Sequence, residues 1–303
     1  MNLPETVTVI EVATRDGFQV ESKPIPTHLK VETIDALTEA GVRQIQVTSF
    51  VHPKWVPQMA DAEEVCRSIS RKPDVIYSAL ALNKKGVERA HAAGINHLDL
   101  SISVSDTHSR KNTNVSLAEA MKNLREMVEL ARQEEMELRV GLQCVFGCAY
   151  EGPIPADRVV KMAEEIFSME IDMFSLADTT GMANPLQVKQ LLSKLLPLLG
   201  DTPVILHLHD TRGAGLANLV AALECGVTYF DTALAGLGGC PFIPGAAGNI
   251  ATEDTLYLLH SMGVETGIDI AKVAQCSLRL EEFLERQLPG KMYRLVDGEA
   301  MLS

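Results

Sequence analysis

Two histidines separated by one residue, His207 and His209, close an apolar run that begins at Pro203, and Asp210 follows them directly. On a strand, side chains at i and i+2 leave the same face, so both imidazoles are offered to one ion while Leu208 turns into packing. Imidazole is the commonest protein metal ligand, and two histidines satisfied inside a core is the other reading of the same spacing. Further along, Gly236-Leu237-Gly238-Gly239-Cys240-Pro241 opens an uncharged, glycine-rich stretch that runs to Asn249. Such a stretch brings backbone close to a ligand, and its thiol, Cys240, serves as an acid or base once its pKa falls toward neutrality. A small apolar residue in a mobile lid is the alternative.

Chemistry of this kind needs a scaffold that carries distant segments to one place. Short β-branched or apolar runs alternate with longer amphipathic stretches, the pattern of βα units. Eight strands are predicted, at Val7 to Val12, Gln44 to Thr48, Val75 to Ala81, His97 to Ser103, Leu138 to Phe146, Met173 to Asp178, Val204 to Asp210 and Tyr229 to Ala235. Helical spacing follows each, as in Leu29, Ile34, Leu37 and Ala40, or Leu117, Met121, Leu124, Val128 and Ala131. Three of these stretches end alike, in Ala40-Gly41-Val42, Ala93-Gly94-Ile95 and Cys225-Gly226-Val227, a glycine C-cap leading into a strand. Eight units of this length predict an α/β fold, a (β/α)8 TIM barrel, over residues 1–265. No GxGxxG opens a helix after the first strand, which weighs against a dinucleotide fold. Residues 266–303 are expected to form a short helical extension of the same domain, with one or two helices between Ile268 and Gln287.

In such a barrel the active site lies at the C-terminal ends of the strands. That rule selects Arg15 and Asp16 after the first strand, Gln46, Thr48 and Ser49 on the second, Asp178 and Thr179 on the sixth, and His207, His209 and Asp210 on the seventh. Asp16 with the two histidines gives a mixed oxygen and nitrogen set suited to Mg²⁺, Mn²⁺, Co²⁺ or Zn²⁺, and the Asn249 carbonyl oxygen offers a fourth ligand. Asp16 paired with Arg15 or capping a turn at Gly17, and Asn249 as a helix cap, are the alternatives.

With 303 residues, 46% hydrophobic and 22% charged, the chain has the composition of a soluble globular protein. A formal charge of -13 argues against nucleic acid or an anionic membrane as partner. No run reaches a membrane span, and Met1-Asn2-Leu3-Pro4-Glu5 opens without a signal sequence, so a cytoplasmic location is expected. The six cysteines are too sparse for a disulfide scaffold, and Cys144 and Cys148 have no second pair with which to complete a zinc site.

Longer motifs carry a resemblance. Arg15-Asp16-Gly17-Phe18-Gln19, the run from Thr48 through Trp55 to Met59, and the Cys240 segment continuing through Asn249-Ile250-Ala251-Thr252-Glu253-Asp254 resemble the 3-hydroxy-3-methylglutaryl-CoA (HMG-CoA) lyase family, relatives of the isopropylmalate and homocitrate synthases. The resemblance implies a divalent cation, Mg²⁺ or Mn²⁺ foremost, held by Asp16, His207, His209 and Asn249. It implies that Arg15 polarises a thioester carbonyl, that Cys240 is the acid, that His207 and Asp178 are candidates for the base, and that Gln19, Gln46, Ser49 and Thr179 meet an acyl-CoA substrate. A homodimer is expected as well. The implied reaction cleaves HMG-CoA, or a close 3-hydroxy analogue such as citramalyl-CoA or a longer homologue, to acetyl-CoA and a keto acid. A synthase condensing acetyl-CoA with a 2-keto acid and a non-catalytic barrel scaffold are the competing readings. The chain departs from the family's pattern at Gln46, where relatives carry glutamate, at Ala13, Thr14 and Phe18, and at Ser22, near which relatives place a basic CoA contact; here Lys23 follows.

Overall fold

The computed structural model describes residues 3–239 and 247–295. Eight parallel strands close into a barrel: β1 (Thr8–Glu11), β2 (Gln44–Ser49), β3 (Ile76–Ala81), β4 (His97–Ser103), β5 (Glu137–Gln143), β6 (Met173–Ala177), β7 (Val204–His207) and β8 (Tyr229–Thr232). β8 returns to β1, with Thr8 beside Tyr229 and Glu11 beside Thr232. The outer layer comprises α1 (Thr27–Glu39), α2 (Ala62–Ser68), α3 (Lys84–Ala92), α4 (Asp106–Thr113), α5 (Leu117–Gln133), α6 (Ala156–Phe167), α7 (Pro185–Leu199), α8 (Gly215–Leu223), α9 (Thr252–Ser261) and α10 (Ile270–Leu284). The expected (β/α)8 barrel is the observed one. Among the described residues beyond 265, α10 is started by the Asp269 carboxylate on the amides of Ala271 and Lys272 and packs against α1 and α9, and a 3-10 turn at Met292–Arg294 follows it. Among the described residues, no helix is long and apolar enough to cross a membrane.

Alternation along the strands makes two separate interiors. On β4, Leu98, Leu100 and Ile102 are buried in the apolar layer, where α5 packs on the strand, while His97, Asp99, Ser101 and Ser103 occupy the opposite phase. Phe174 of β6 likewise meets Phe167 of α6 edge-on, with ring centroids 4.8 Å apart. Each fully buried leucine or phenylalanine of this layer contributes about 1.5–3 kcal/mol, so the barrel is held from outside its strands and its axis is left free for polar groups. The glycine caps also appear as expected. Gly41, Gly94 and Gly226 have positive φ, and the next amide in each case, from Val42, Ile95 or Val227, bonds back to a carbonyl five residues earlier.

Several strands end sooner than the apolar runs suggest. β5 stops at Gln143 because Cys144 takes a left-handed conformation (φ 61°), and a short hairpin of Gly147–Cys148 with Gly152–Pro153 follows. β7 stops at His207, yet its continuation stays extended: the chain returning through Gly248, Asn249 and Ile250 pairs antiparallel with it. Asp210 N donates to Gly248 O (2.7 Å) and Ile250 N to Leu208 O (3.0 Å), which sets Asn249 opposite His209.

Candidate metal centre and its cavity

After β1 the chain makes a single π-type turn, Ala13–Gly17, in which the amides of Arg15, Asp16 and Gly17 all converge on Val12 O. Such widened turns recur at functional sites because they re-aim side chains. Here Arg15 and Asp16 are turned to the barrel mouth. Gly17 lies against the base of the strand-eight loop, where an added Cβ would come within 2.9 Å of Leu237 Cβ. Gly238 (φ 94°) packs tighter still: a Cβ there would stand 2.4 Å from Asn249 Nδ2 and 3.1 Å from Asp16 Oδ2.

Asp16, His207 and His209 each present one ligand atom within 4.8 Å of the others. His207 Nε2 is 3.1 Å from His209 Nε2 and 3.9 Å from Asp16 Oδ2. Asp231 Oδ2 lies 2.9 Å from His207 Nδ1, and a carboxylate there fixes the ring proton on Nδ1, so Nε2 turns a lone pair toward the cluster. Asn249 donates through Nδ2 to Asp16 Oδ2 (2.8 Å) and Leu237 O (3.0 Å). Its Oδ1 is buried without a hydrogen-bond partner among the described residues. An unpaired buried carbonyl oxygen costs about 1–3 kcal/mol, and a cation beside it removes that cost. The donor set of one carboxylate, two imidazoles and an orphaned amide oxygen therefore fits a divalent ion.

Electrostatics favour the ligating forms. Burial pushes the Asp16 carboxyl up, but Arg15, His207 and His209 outweigh it and hold the group down at about 2. Burial, reinforced by His207, brings His209 down to about 3, so its ring is neutral. Asp231 is buried as well, yet Arg139 and the His207 hydrogen bond keep it below the usual carboxylate range.

These residues belong to a closed circuit of polar side chains around the barrel axis. Arg15 donates to Asp16 through Nη1 and to Gln46 Oε1 through Nε. Gln46 Nε2 donates to Asp99, which also accepts from Ser78 (2.7 Å) and lies 3.6 Å from Arg139. Arg139 grips Asp231 with both terminal nitrogens, and Asp231 returns the circuit to His207. Asp99, Arg139 and Asp231 were not singled out from sequence. Their signal was a charged residue in the middle of a predicted strand, on the phase opposite the apolar layer.

Above the circuit opens a cavity of about 890 Å³, lined among others by Arg15, Asp16, Gln19, Gln46, Thr179, His207 and His209. Gln19 also donates to Asp16 Oδ1 at 3.1 Å, and Thr179 Oγ1 accepts from the Cys144 amide at 2.9 Å. Two expected site residues stand elsewhere. Asp178 is fully buried and does not line the cavity; its carboxylate accepts from the amides of Met182 (2.9 Å) and Ala183 (3.0 Å), tying down the turn after β6, and burial raises it to about 6. Ser49 is fully buried and absent from the cavity wall, beyond a β-bulge between Gln46 and Thr48 that resets the phase of β2. Lys23 is turned to the end of α10, on Phe283 O (2.6 Å) and Glu285 (2.9 Å). Cys240 lies outside the described residues.

Comparison with known proteins shows the family and the fold. A family model described as HMGL-like matches residues 6–278. The chain is 42% identical over 291 residues to a hydroxymethylglutaryl-CoA lyase of Bacillus subtilis (strain 168), covering 96% of this chain and 97% of that protein. It is 41% identical over 290 residues to the cytoplasmic 3-hydroxy-3-methylglutaryl-CoA lyase of Danio rerio, covering 96% and 87%. The crystal structure of the Bacillus subtilis HMG-CoA lyase matches with a TM-score of 0.95 at 41% identity, covering 97% of this chain and 99% of that one. An HMG-CoA lyase from Acinetobacter baumannii, solved with coenzyme A and 3-methylmalate, matches with a TM-score of 0.93 at 39% identity, covering 99% and 98%. The barrel, the ion-ready cluster at its mouth and likeness along nearly the whole chain lead to one assignment: the protein belongs to the HMGL-like family.

Proposed function

We propose that the chain is a divalent-metal-dependent carbon–carbon lyase that cleaves HMG-CoA or a close 3-hydroxy acyl-CoA to acetyl-CoA and a keto acid, acetoacetate in the case of HMG-CoA. The observation that carries this reading is the convergence of Asp16, His207, His209 and the orphaned Asn249 Oδ1 beside Arg15 at an open cavity. Relatives are named for that activity, and one was solved with coenzyme A. When bound, the ion supplies Lewis acidity to the substrate's carboxylate and 3-hydroxyl oxygens and makes the hydroxyl proton easier to lose. Mg²⁺ or Mn²⁺ suits the oxygen-bearing substrate best.

The protein's own groups then divide the work. Asp231, held ionised by Arg139, keeps the His207 proton on Nδ1 and its lone pair on the ion side. Asp231 holds His207 Nδ1 and Asp178 accepts from two backbone amides away from the cavity wall, so water in the open cavity, in place of either group, is the proposed acceptor of the 3-hydroxyl proton. Arg15, gripped from two sides by Asp16 and Gln46, is oriented at the cavity edge with little freedom left to lose. A fixed guanidinium there stabilises the enolate oxygen that develops when C2–C3 breaks. Cys240 is the proposed acid that protonates C2, as its motif implies, and Gln19, Gln46 and Thr179 are the proposed substrate contacts. A homodimer in the cytoplasm is part of the same proposal.

The test is to load purified protein with Mg²⁺ or Mn²⁺, supply HMG-CoA, and follow acetyl-CoA and acetoacetate. Equal release of the two is expected, abolished by chelator and restored by metal, and Cys240→Ser should lower turnover with metal content intact. Absence of both products where a known lyase is active would refute the reading.

A further inference from the structure

The cavity wall is asymmetric one inward step below the histidines. In β7 that step is Ile205, fully buried. Its register partner in β6 is Ser175, followed by Gly141 in β5 and Ser101 in β4, so three adjacent strands carry two serines and a glycine in one row. All three line the cavity, as do Asp99 and Arg139 one step deeper. The row is built of small residues, and Ser175 Oγ leans over Gly141, where an added Cβ would stand 2.4 Å from that hydroxyl and 3.7 Å from Ser101 Cβ. Gln143, above the row and also on the cavity wall, donates through Nε2 to Ser101 Oγ at 2.9 Å.

We propose that this recess between β4 and β6 receives the C3 substituent of the substrate, and that the preferred thioester carries there a group longer than methyl ending in a neutral hydroxyl or carbonyl. The inference deepens the lyase reading and rests on it. Small residues supply the room, while the serine hydroxyls and the Gln143 amide supply donors and acceptors. A methyl group offers no acceptor to the hydroxyl protons of Ser101 and Ser175. A second carboxylate is disfavoured because the floor already holds Asp99 and Asp231 against the single charge of Arg139. The chemistry balances as for HMG-CoA: the hydroxyl proton passes to water in the open cavity, the C2–C3 electron pair moves onto the thioester enolate, C3 becomes the ketone of a keto acid bearing the longer group, and C2 takes a proton from the proposed acid to give acetyl-CoA.

The experiment compares kcat/KM for acetyl-CoA release by the metal-loaded protein from HMG-CoA and from thioesters whose C3 methyl is replaced by hydroxyethyl or by propyl. The hydroxyethyl compound is expected to exceed HMG-CoA by about tenfold or more, with propyl between them. HMG-CoA equal to or better than the hydroxyethyl compound overturns the inference and leaves the lyase reading standing; no cleavage of any of the three overturns both. Filling the row with Ser101→Leu should lower the hydroxyethyl-to-methyl ratio about tenfold. An unchanged ratio in folded protein, verified by circular dichroism, counts against the recess. If that variant does not fold, Ser175→Val is read in the same way, and the wild-type ratio decides in either case.

Discussion

His207 Nδ1 and Asp231 Oδ2 lie 2.9 Å apart in a buried contact, and the same carboxylate is gripped by Arg139 from the other side. This makes Asp231 the group that orients the proposed metal ligand His207 from outside the cluster. Asp231→Asn keeps the shape but removes the charge that Arg139 and His207 share. Metal affinity, read by calorimetric titration of chelator-treated protein, should fall about 10–100-fold. Affinity equal to wild type would mean that His207 is oriented by packing alone.

Gln46 is more than a neutral stand-in for the family's glutamate. Its amide accepts from Arg15 and donates to Asp99, and a carboxylate can do only the first. Gln46→Glu sets two carboxylates against each other in a buried position, so one must keep its proton. A carboxyl whose folded pKa is raised stabilises the fold at low pH and loses that contribution as pH rises. Urea unfolding should therefore show a loss of about 1–3 kcal/mol that is larger in alkaline than in mildly acidic buffer. Adding Asp99→Asn, which restores a donor opposite the new carboxylate, should recover part of the loss; strict additivity of the two changes would show that they do not interact.

How far the sequence discloses this site depends on phase. The βα units and their glycine caps are local, and they placed His207, His209 and Asp16 at one rim. Asp178 illustrates the limit: Ala177 lines the cavity, so the next residue points the other way, and a single register position moves a carboxylate from substrate to a backbone turn. Asn249 reaches the cluster because the returning chain pairs with residues beyond β7, a long-range contact with no local signature. Asp99, Arg139 and Asp231 were readable in principle, since a charge in the inner phase of a barrel strand must find a partner across the axis.

The close approach at Gly238 gives a separate handle on the cluster. Gly238→Ala would drive a Cβ into Asn249 Nδ2 and strain a residue at φ 94°. Strain of about 1–3 kcal/mol is expected, and the Asp16–Asn249 contact must move to relieve it. The variant should lose metal affinity, measured by equilibrium dialysis, and show a lower melting temperature. Unchanged metal binding together with an unchanged melt would mean that the loop accommodates the methyl without disturbing Asn249.

A last prediction concerns a carboxylate that never meets the substrate. Glu11 is fully buried, accepting from the amides of Ala13 (2.8 Å) and Leu234 (3.0 Å) and from Thr252 Oγ1 (2.6 Å). It thus ties the base of the Arg15–Asp16 turn to the base of the strand-eight loop. Burial outweighs these donors and raises its pKa from 4.5 to about 8. Between those two values the folded protein holds a proton that the unfolded chain has released, so this group's contribution to stability is complete below pH 4.5 and is lost as pH rises toward about 8. Glu11→Gln keeps a neutral side chain of the same shape and removes the titration. Melting temperatures measured across that range should fall more steeply for the wild type than for the variant, with the curves diverging toward the alkaline end. Parallel curves would show that Glu11 is ionised in the fold throughout, and that its three donors outweigh its burial.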